Sequence, residues 1–320
     1  MEKQKEKPTV SVCTPTFNRR PFVPMMLTCF KHQTYPNILE WLIYDDGTDP
    51  IRDLVEGKDE RIRYIQGEDI GISLGKKRNT LNDEARGDII VYMDDDDYYP
   101  PERVSHAVET LLSHPEALVC GSSAMFVYFR DNGLYQMGPY GPMHATAASI
   151  AFWRVPVLSQ TRFDESAAMA EERVFLKGYT LPLVQLNPSK TIVVFAHRHN
   201  TVDKRILLAQ GGPHIHPVTT TEDYPPLNIL VKDPAIRRFF LEELDEKLTN
   251  YAPGEPTKKP DAMSQLEESR MRQYHAMNNH IQELTKENTY LKEQLKFLRE
   301  RLTNLMNPSP SPPPPPQQNV

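Results

Sequence analysis

An apolar run over residues 89–93 (IIVYM) ends at four consecutive aspartates, Asp94, Asp95, Asp96 and Asp97, followed by Tyr98-Tyr99-Pro100-Pro101. The run reads as a buried strand, and the double proline takes the chain out of it. The carboxylates therefore sit at the carboxyl end of a strand, where open α/β sheets place their ligands. Four like charges in a row repel one another unless something positive compensates them. A hard divalent cation with oxygen ligands is the natural partner, and Mg²⁺ and Mn²⁺ both suit carboxylates. The plain alternative is a solvated acidic turn; the strand that aims this turn at a crevice favours the cation.

The sequence before the aspartates is built the same way. Residues 9–14 (TVSVCT) read as a first strand ending at Pro15, with a polar turn over 16–21. Residues 21–32 read as a helix through Phe22, Met25, Met26, Cys29 and Phe30. Residues 38–44 (ILEWLIY) are a second buried strand, followed by the turn Asp45-Asp46-Gly47-Thr48. A shorter strand over 61–66 and a helix over 73–85 complete the pattern. Such alternation with short turns predicts a mostly parallel sheet with helices on its faces. Each polar turn follows a strand, so the turns share one edge and one crevice.

Further on, the pattern predicts a helix over 102–113, one strand over 117–128, a small apolar stretch over 145–155 and a polar loop over 163–169. A helix start over 171–178 and a strand over 191–196 follow, and that strand delivers His197-Arg198-His199-Asn200. A last globular helix over 233–248 buries Ile236, Phe239, Phe240, Leu241 and Leu244.

At 320 residues the chain can hold one large core with appendages. A net charge of -6 with no long basic run argues against a nucleic-acid partner. The cysteines Cys13, Cys29 and Cys120 fit no disulfide or metal spacing, which points to a reducing compartment. The first residues, MEKQKEKP, lack the apolar core of a signal peptide, and no stretch approaches the ~20 apolar residues of a membrane span. A cytoplasmic location is the expectation.

The C-terminal sequence is of another kind. Tyr274, Met277, Ile281, Leu284, Asn288, Leu291, Leu295, Leu298, Leu302 and Leu305 recur at alternating spacings of three and four. That is a heptad seam. Asn288 falls at an a position, where a buried Asn fixes register and favours a parallel two-stranded coil. Glu287 at g and Lys292 at the following e can pair across that dimer. The alternative is an amphipathic helix packed on the domain; the narrow stripe and the Pro/Gly/Lys linker before it argue for a coil. The expected layout is a globular α/β domain over 1–250, a linker over 251–273, a dimerising coil over 274–306 and a disordered Pro-rich tail over 307–320.

Other residues carry two readings each. Asp46, at the end of the second strand, can accept a hydrogen bond from a base or ribose, or serve turn chemistry. Arg78, with Lys76 and Lys77, can face a phosphate or simply form a solvated helix face. Glu171 and Glu172 open a helix: one can be a general base for a hydroxyl, or both can cap the helix. His197 and His199, two apart after a strand, can ligate metal or touch a diphosphate, or be structural.

Five ordered stretches converge on a known pattern: SVCTPTFNRR (11–20), YDDGT (44–48), GKKRNTLNDEARGDII (75–90), MDDDDYYPPERV (93–104) and FDESAAMAEERVF (163–175). In them the N-terminal part of the chain resembles inverting GT-A glycosyltransferases of the family 2 type. The resemblance implies a Rossmann-like α/β fold, a nucleotide-binding domain fused to an acceptor half in one continuous sheet. It implies that Pro15, Thr16 and Phe17 line the base and ribose, with Asp46 contacting the base and Arg78 beside it. Asp94 and Asp96 fall at the acidic positions of the DXD motif. Asp95 would face ribose or sugar, Asp96 would bind the metal, and Asp97 is a further candidate ligand, with His197 or His199 at a downstream His position. Glu171-Glu172 stands where the family has Glu-Asp, whose second member is the base; here that is Glu172, one methylene longer. His144 and Trp153 fall in the region of the donor-sugar and acceptor pocket.

The implied activity is metal-dependent, inverting transfer of a sugar from a nucleoside-diphosphate sugar, a UDP-sugar by expectation, to a hydroxyl of a glycan or other acceptor. One rival is a sugar-nucleotide nucleotidyltransferase, but the turn after the first strand lacks the glycine-rich loop of such enzymes. The other is an inactive dimeric scaffold, against which the retained acidic positions argue.

Overall fold

A computed structural model describes residues 7–167, 170–200, 203–218, 226–258 and 260–306. The expectation of a disordered tail over 307–320 lies outside the described residues. The chain divides into two compact units, residues 1–266 and 267–320.

The first unit opens with β1 (Val10–Thr16), α1 (Val23–Lys31), β2 (Ile38–Asp45), a short α2 (Arg52–Val55), β3 (Ile62–Gln66), α3 (Leu74–Glu84), β4 (Ile89–Tyr92) and α4 (Arg103–Ser113). β1 runs two residues past its expected end. β4 pairs only with Val10 to Cys13, so at Pro15 the ladder continues on the β2 side alone, and a residue without an N–H is tolerated there.

After α4 come β5 (Val119–Gly121), β6 (Met125–Phe129), β7 (Gly133–Met137), β8 (Ala151–Trp153), α5 (Arg154–Leu158), α6 (Glu172–Phe175), β9 (Leu183–Gln185) and β10 (Val193–Phe195). α7 (Lys204–Gln210), β11 (Ile215–Pro217), α8 (Leu227–Leu230), α9 (Pro234–Arg238) and α10 (Leu244–Thr249) close the unit. The helix expected over 233–248 is observed with Asp233 as its N-cap and a π-helical segment, Phe239–Glu243, between α9 and α10.

The strands form two sheets, not one continuous sheet. The larger has the order β3-β2-β1-β4-β8-β5-β9, and the smaller β10-β6-β7-β11. Neighbours β1, β2, β3 and β4 run parallel, whereas β8 is antiparallel to both β4 and β5. The single strand expected over 117–128 is two strands in different sheets. Ser122 and Ser123 lie at the break, and side chains take their backbone donors: Ser149 Oγ accepts from Ser122 N at 2.9 Å, and Gln185 Oε1 from Ser123 N at 2.8 Å. With those donors withdrawn from the ladder, the chain crosses over. Beyond the end of β4, Tyr98 forms an isolated antiparallel bridge with Val193 of β10.

Alternation along β1, β2 and β4 splits the core in two. Val10, Val12, Trp41, Ile43, Ile89 and Val91 pack on α1 and α4 through Phe30, Val104 and Leu111. Cys13, Leu42, Ile90 and Tyr92 pack on α3 and α6 through Leu81 and Phe175. The three-layer α/β architecture expected from the sequence follows directly from this period-two pattern.

The segment read as a linker from residue 251 begins as part of the first unit: Gly254 is buried, and Tyr251 Oη donates to Asp49 Oδ2 at 2.8 Å. The helix read as starting at 274 is α11 (Pro260–Met306), 47 residues long, about 70 Å of continuous helix. Taken by itself, α11 leaves Tyr274, Met277, Ile281, Leu284, Leu291, Leu295, Leu298 and Leu302 exposed. Among the described residues no helix is long and apolar enough to cross a membrane.

Candidate functional site

The four aspartates follow β4 in a turn pinned from three sides. Thr14 Oγ1 donates to Met93 O at 2.6 Å, Met93 N to Cys13 O at 3.1 Å, and Asp94 N to the Tyr99 hydroxyl at 2.6 Å. Beside them opens a cavity of about 340 Å³. It is lined by the end of β1 (Pro15, Thr16, Phe17, Arg19), by Leu74, Lys77 and Arg78 of α3, by all four aspartates, by Thr146 to Ala148, by Ala170, Glu171 and Glu172, and by Asn200 and Lys204.

The loop that delivers Glu171 and Glu172 is docked on α3. Asn79 exchanges two hydrogen bonds with the Phe163 backbone, both 3.0 Å, and Ser73 Oγ donates to Glu165 O at 2.6 Å. Gly75 permits this approach, since a Cβ there would lie 1.8 Å from Asp164 O. Phe163 then stacks on Phe175 at 4.1 Å, which anchors α6.

Arg78 is the electrostatic hub. It is 1% exposed, its Nε lies 2.9 Å from Glu171 Oε1 and its Nη2 3.2 Å from Asp94 Oδ1. Burial opposes its charge, but Asp94 and Glu171 more than restore it. Burial pushes the Asp94 carboxyl above its ordinary value, with Arg78 opposing. Glu171 is thereby committed to an ion pair. Glu172 is half-buried, faces the cavity, and has its carboxyl pushed up to about 7 by burial and by the adjacent Glu171, with Arg78 opposing.

Asp96 meets the opposite environment. Burial would raise its carboxyl, but His197 Nε2 at 3.3 Å, Arg19 Nε at 3.4 Å and the charge of Lys204 hold it well below the carboxylate range. Asp95 lies 3.7 Å from the same Arg19. Burial and the crowding of Asp96, Asp94 and Asp95 push Asp97 well above it.

Several expected residues are placed differently. Lys77, not Arg78, pairs with Asp46: its Nζ donates to Asp46 Oδ1 and to Thr16 O, and lies 5.2 Å from the Phe17 ring centroid. Consecutive helical residues point about 100° apart, so α3 can give Asp46 only one of the two. Asp46 is 2% exposed and accepts from Ile72 N at 2.7 Å, so it braces Lys77 from behind the cavity wall.

His197 and His199 do not share a face, because β10 ends at Phe195 and they lie in a turn. His197 Nδ1 accepts from His199 N at 3.2 Å, and Nε2 lies 3.0 Å from Asn200 Nδ2 and 3.3 Å from Asp96 Oδ2. The His199 ring turns to Tyr251, 6.3 Å between centroids. His144 stands in a ring cluster with Tyr140 and Tyr179, each 5.1 Å away, outside the cavity lining. Trp153 pairs with Ile89, at the start of β4, because β8 is antiparallel; that puts it at the opposite end of the strand from the aspartates. Arg19 and Lys204 were not singled out by the sequence. Arg19 had a signal, as a cation directly after a strand that ends in the crevice; Lys204 had none.

Among the described residues no three His, Cys, Asp or Glu groups converge into a protein-only metal cage. The donor chemistry fits a shared ion. Asp94, Asp95, Asp96, Asp97, Glu171 and Glu172 outnumber Arg19, Lys77, Arg78 and Lys204 around the cavity. Mg²⁺-like ions are commonly held by one or two carboxylates plus substrate phosphates.

Residues 11–161 match Glycosyl transferase family 2. EpsH of Bacillus subtilis, named as a candidate glycosyltransferase, is 28% identical over 124 residues, which are 38% of this chain and 36% of EpsH. The GalNAc(5)-diNAcBac-PP-undecaprenol beta-1,3-glucosyltransferase of Campylobacter jejuni is 29% identical over 109 residues, 33% of this chain and 34% of that protein. The chain thus spans about a third of the length of these relatives. The crystal structure of S. aureus TarS 1-349 in complex with UDP-GlcNAc aligns with a TM-score of 0.49 at 20% identity, covering 59% of this chain and 59% of that one. By its matched region and its α/β architecture, the chain resembles the GT-A glycosyltransferases of family 2.

Proposed function

We propose that the chain transfers a sugar from a nucleoside-diphosphate donor to an acceptor hydroxyl in a single inverting displacement. The observation that carries this reading is Glu172, a carboxyl titrating at about 7 in the same cavity as the strand-end aspartates. A base with that value is about half ionised near neutral pH and still strong enough to take a hydroxyl proton. Pro15, Thr16, Phe17 and Lys77, braced by Asp46, receive the nucleoside, a uridine in the favoured donor. A divalent cation held by Asp96, with Asp94, would neutralise charge on the diphosphate.

Glu172 takes the proton of the acceptor hydroxyl as that oxygen bonds to the anomeric carbon. The bond from that carbon to the diphosphate oxygen breaks, and its electron pair leaves with the nucleoside diphosphate. Arg19 and Lys204 place positive charge beside the departing group. The Campylobacter relative, named as a glucosyltransferase, supports a hexosyl donor and a glycan hydroxyl as acceptor.

The test is a panel of UDP-sugars and glycan acceptors with Mn²⁺, following the nucleotide released and the anomer formed by NMR. Nucleoside diphosphate with an inverted product is expected. Release of pyrophosphate would assign nucleotidyl transfer instead, and a folded chain that turns over no donor would assign the scaffold.

The same reading makes the protein a homodimer through α11. The exposed seam repeats as a and d positions with Asn288 at a, and Glu287 can meet Lys292 of a second copy in the parallel arrangement. Leu291→Glu with Leu298→Glu should convert the dimer to monomer in analytical ultracentrifugation. An unchanged dimer would remove the coil as the assembly device.

A further inference from the structure

We infer that Arg19 is a positioning residue that ties the segment Tyr251 to Gly254 to Asp95 and Asp96, so that the chain beyond α10 is a working part of the site. The inference rests on the proposed reading of those carboxylates as the diphosphate end of the cavity.

Arg19 is 4% exposed and spends its fork in two directions. Nη2 donates to His199 O at 2.8 Å and Nη1 to Gly254 O at 3.2 Å. Nε makes no hydrogen bond and lies 3.4 Å from Asp96 and 3.7 Å from Asp95, within ion-pair distance of both. A guanidinium is planar and rigid, so fixing one side of the fork fixes the other.

The strap is held by contacts that do not involve Arg19. Asn18 Nδ2 donates to Pro253 O at 2.8 Å, and Tyr251 Oη donates to Asp49, whose carboxylate also takes Arg20 Nε at 3.0 Å. Asn18 itself adopts φ 52°, a conformation asparagine tolerates. Gly254 allows the strap to lie this close: a Cβ there would meet Asn18 O at 2.7 Å and His199 Nδ1 at 2.8 Å. A plain linker has no need of contacts like these with residues 235 positions earlier. Here they set the angle at which a buried cation meets two cavity carboxylates.

The test uses the full-length chain and isothermal titration of UDP with and without Mn²⁺, alongside circular dichroism. Gly254→Val should weaken Mn²⁺-dependent UDP binding at least about tenfold, with metal-free UDP binding and the fold unchanged. Arg19→Ala should lose Mn²⁺-dependent binding at least as strongly, and the double variant should be no worse than Arg19→Ala, because both break one linkage. Arg19→Lys keeps the charge but not the fork, so it should fail to rescue. Full rescue by lysine, additive losses, or a folded Gly254→Val with unchanged binding would overturn the inference. Should Gly254→Val fail to fold, the Arg19→Lys comparison decides alone. Failure of the unaltered chain to bind UDP with Mn²⁺ would instead reject the proposed function.

Discussion

Glu172→Gln should lower sugar transfer by about 10²- to 10⁴-fold, the usual worth of a general base, while UDP and donor binding stay unchanged. Glutamine keeps the shape and loses only the proton acceptor. The neighbouring Glu171→Gln should behave otherwise. Glu171 is 3% exposed and bound to Arg78, so its loss leaves a buried guanidinium short of a partner. That variant should lose stability and disturb Asp94, which the same guanidinium holds. If Glu171→Gln abolished transfer in a fully stable protein and Glu172→Gln did not, the two roles would be exchanged.

The pH dependence gives an independent reading of the same group. Transfer by the unaltered protein should rise as pH passes through about 7, where Glu172 ionises. Stability should move the other way. The folded carboxyl holds its proton more tightly than the ordinary value of 4.5 allows, so its favourable contribution is present below about 4.5 and is lost as pH rises through 7. Above 7 the folded chain carries a half-buried charge. Glu172→Gln removes that burden, worth up to about 3 kcal/mol. Its melting temperature should therefore exceed that of the unaltered chain at pH 8 and match it near pH 4.

The parts of this site that were legible in the sequence were those fixed by strand order. Four apolar runs ending in polar turns put Pro15, Asp46 and the aspartates on one edge, because parallel strands share a direction. What the sequence did not carry was rotation and distance. It could not say whether Lys77 or Arg78 faces Asp46, since both lie on one helix and only the packing of α3 decides. Nor could it place His199 beyond the end of a strand, where alternation stops, or show that β8 returns antiparallel and carries Trp153 to the far end of the sheet. The break at Ser122 and Ser123 was hidden because it depends on Ser149 and Gln185, remote in sequence. Arg19 was in plain view, but its partners, Gly254 and His199, come from the other end of the domain.

Asp96→Asn should remove the Mn²⁺-dependent part of UDP binding and lower transfer by about 10²- to 10³-fold, as expected for deleting one preorganised charge beside the reacting bonds. Asn fits the same space and can still accept from His197, so the fold should persist. The control is Asp97→Asn. Asp96 is held ionised by His197, Arg19 and Lys204, whereas burial and its neighbours already press Asp97 towards the neutral form. Asp97→Asn removes the cost of holding that carboxyl neutral in the fold, and should raise the melting temperature with little effect on Mn²⁺-dependent binding. The pair separates a specific ligand from a general need for negative charge. Under the first, only Asp96→Asn releases the metal; under the second, both variants weaken it alike. Equal losses would mean that the ion is held by the field of the whole acidic turn, and the assignment to Asp96 would fall.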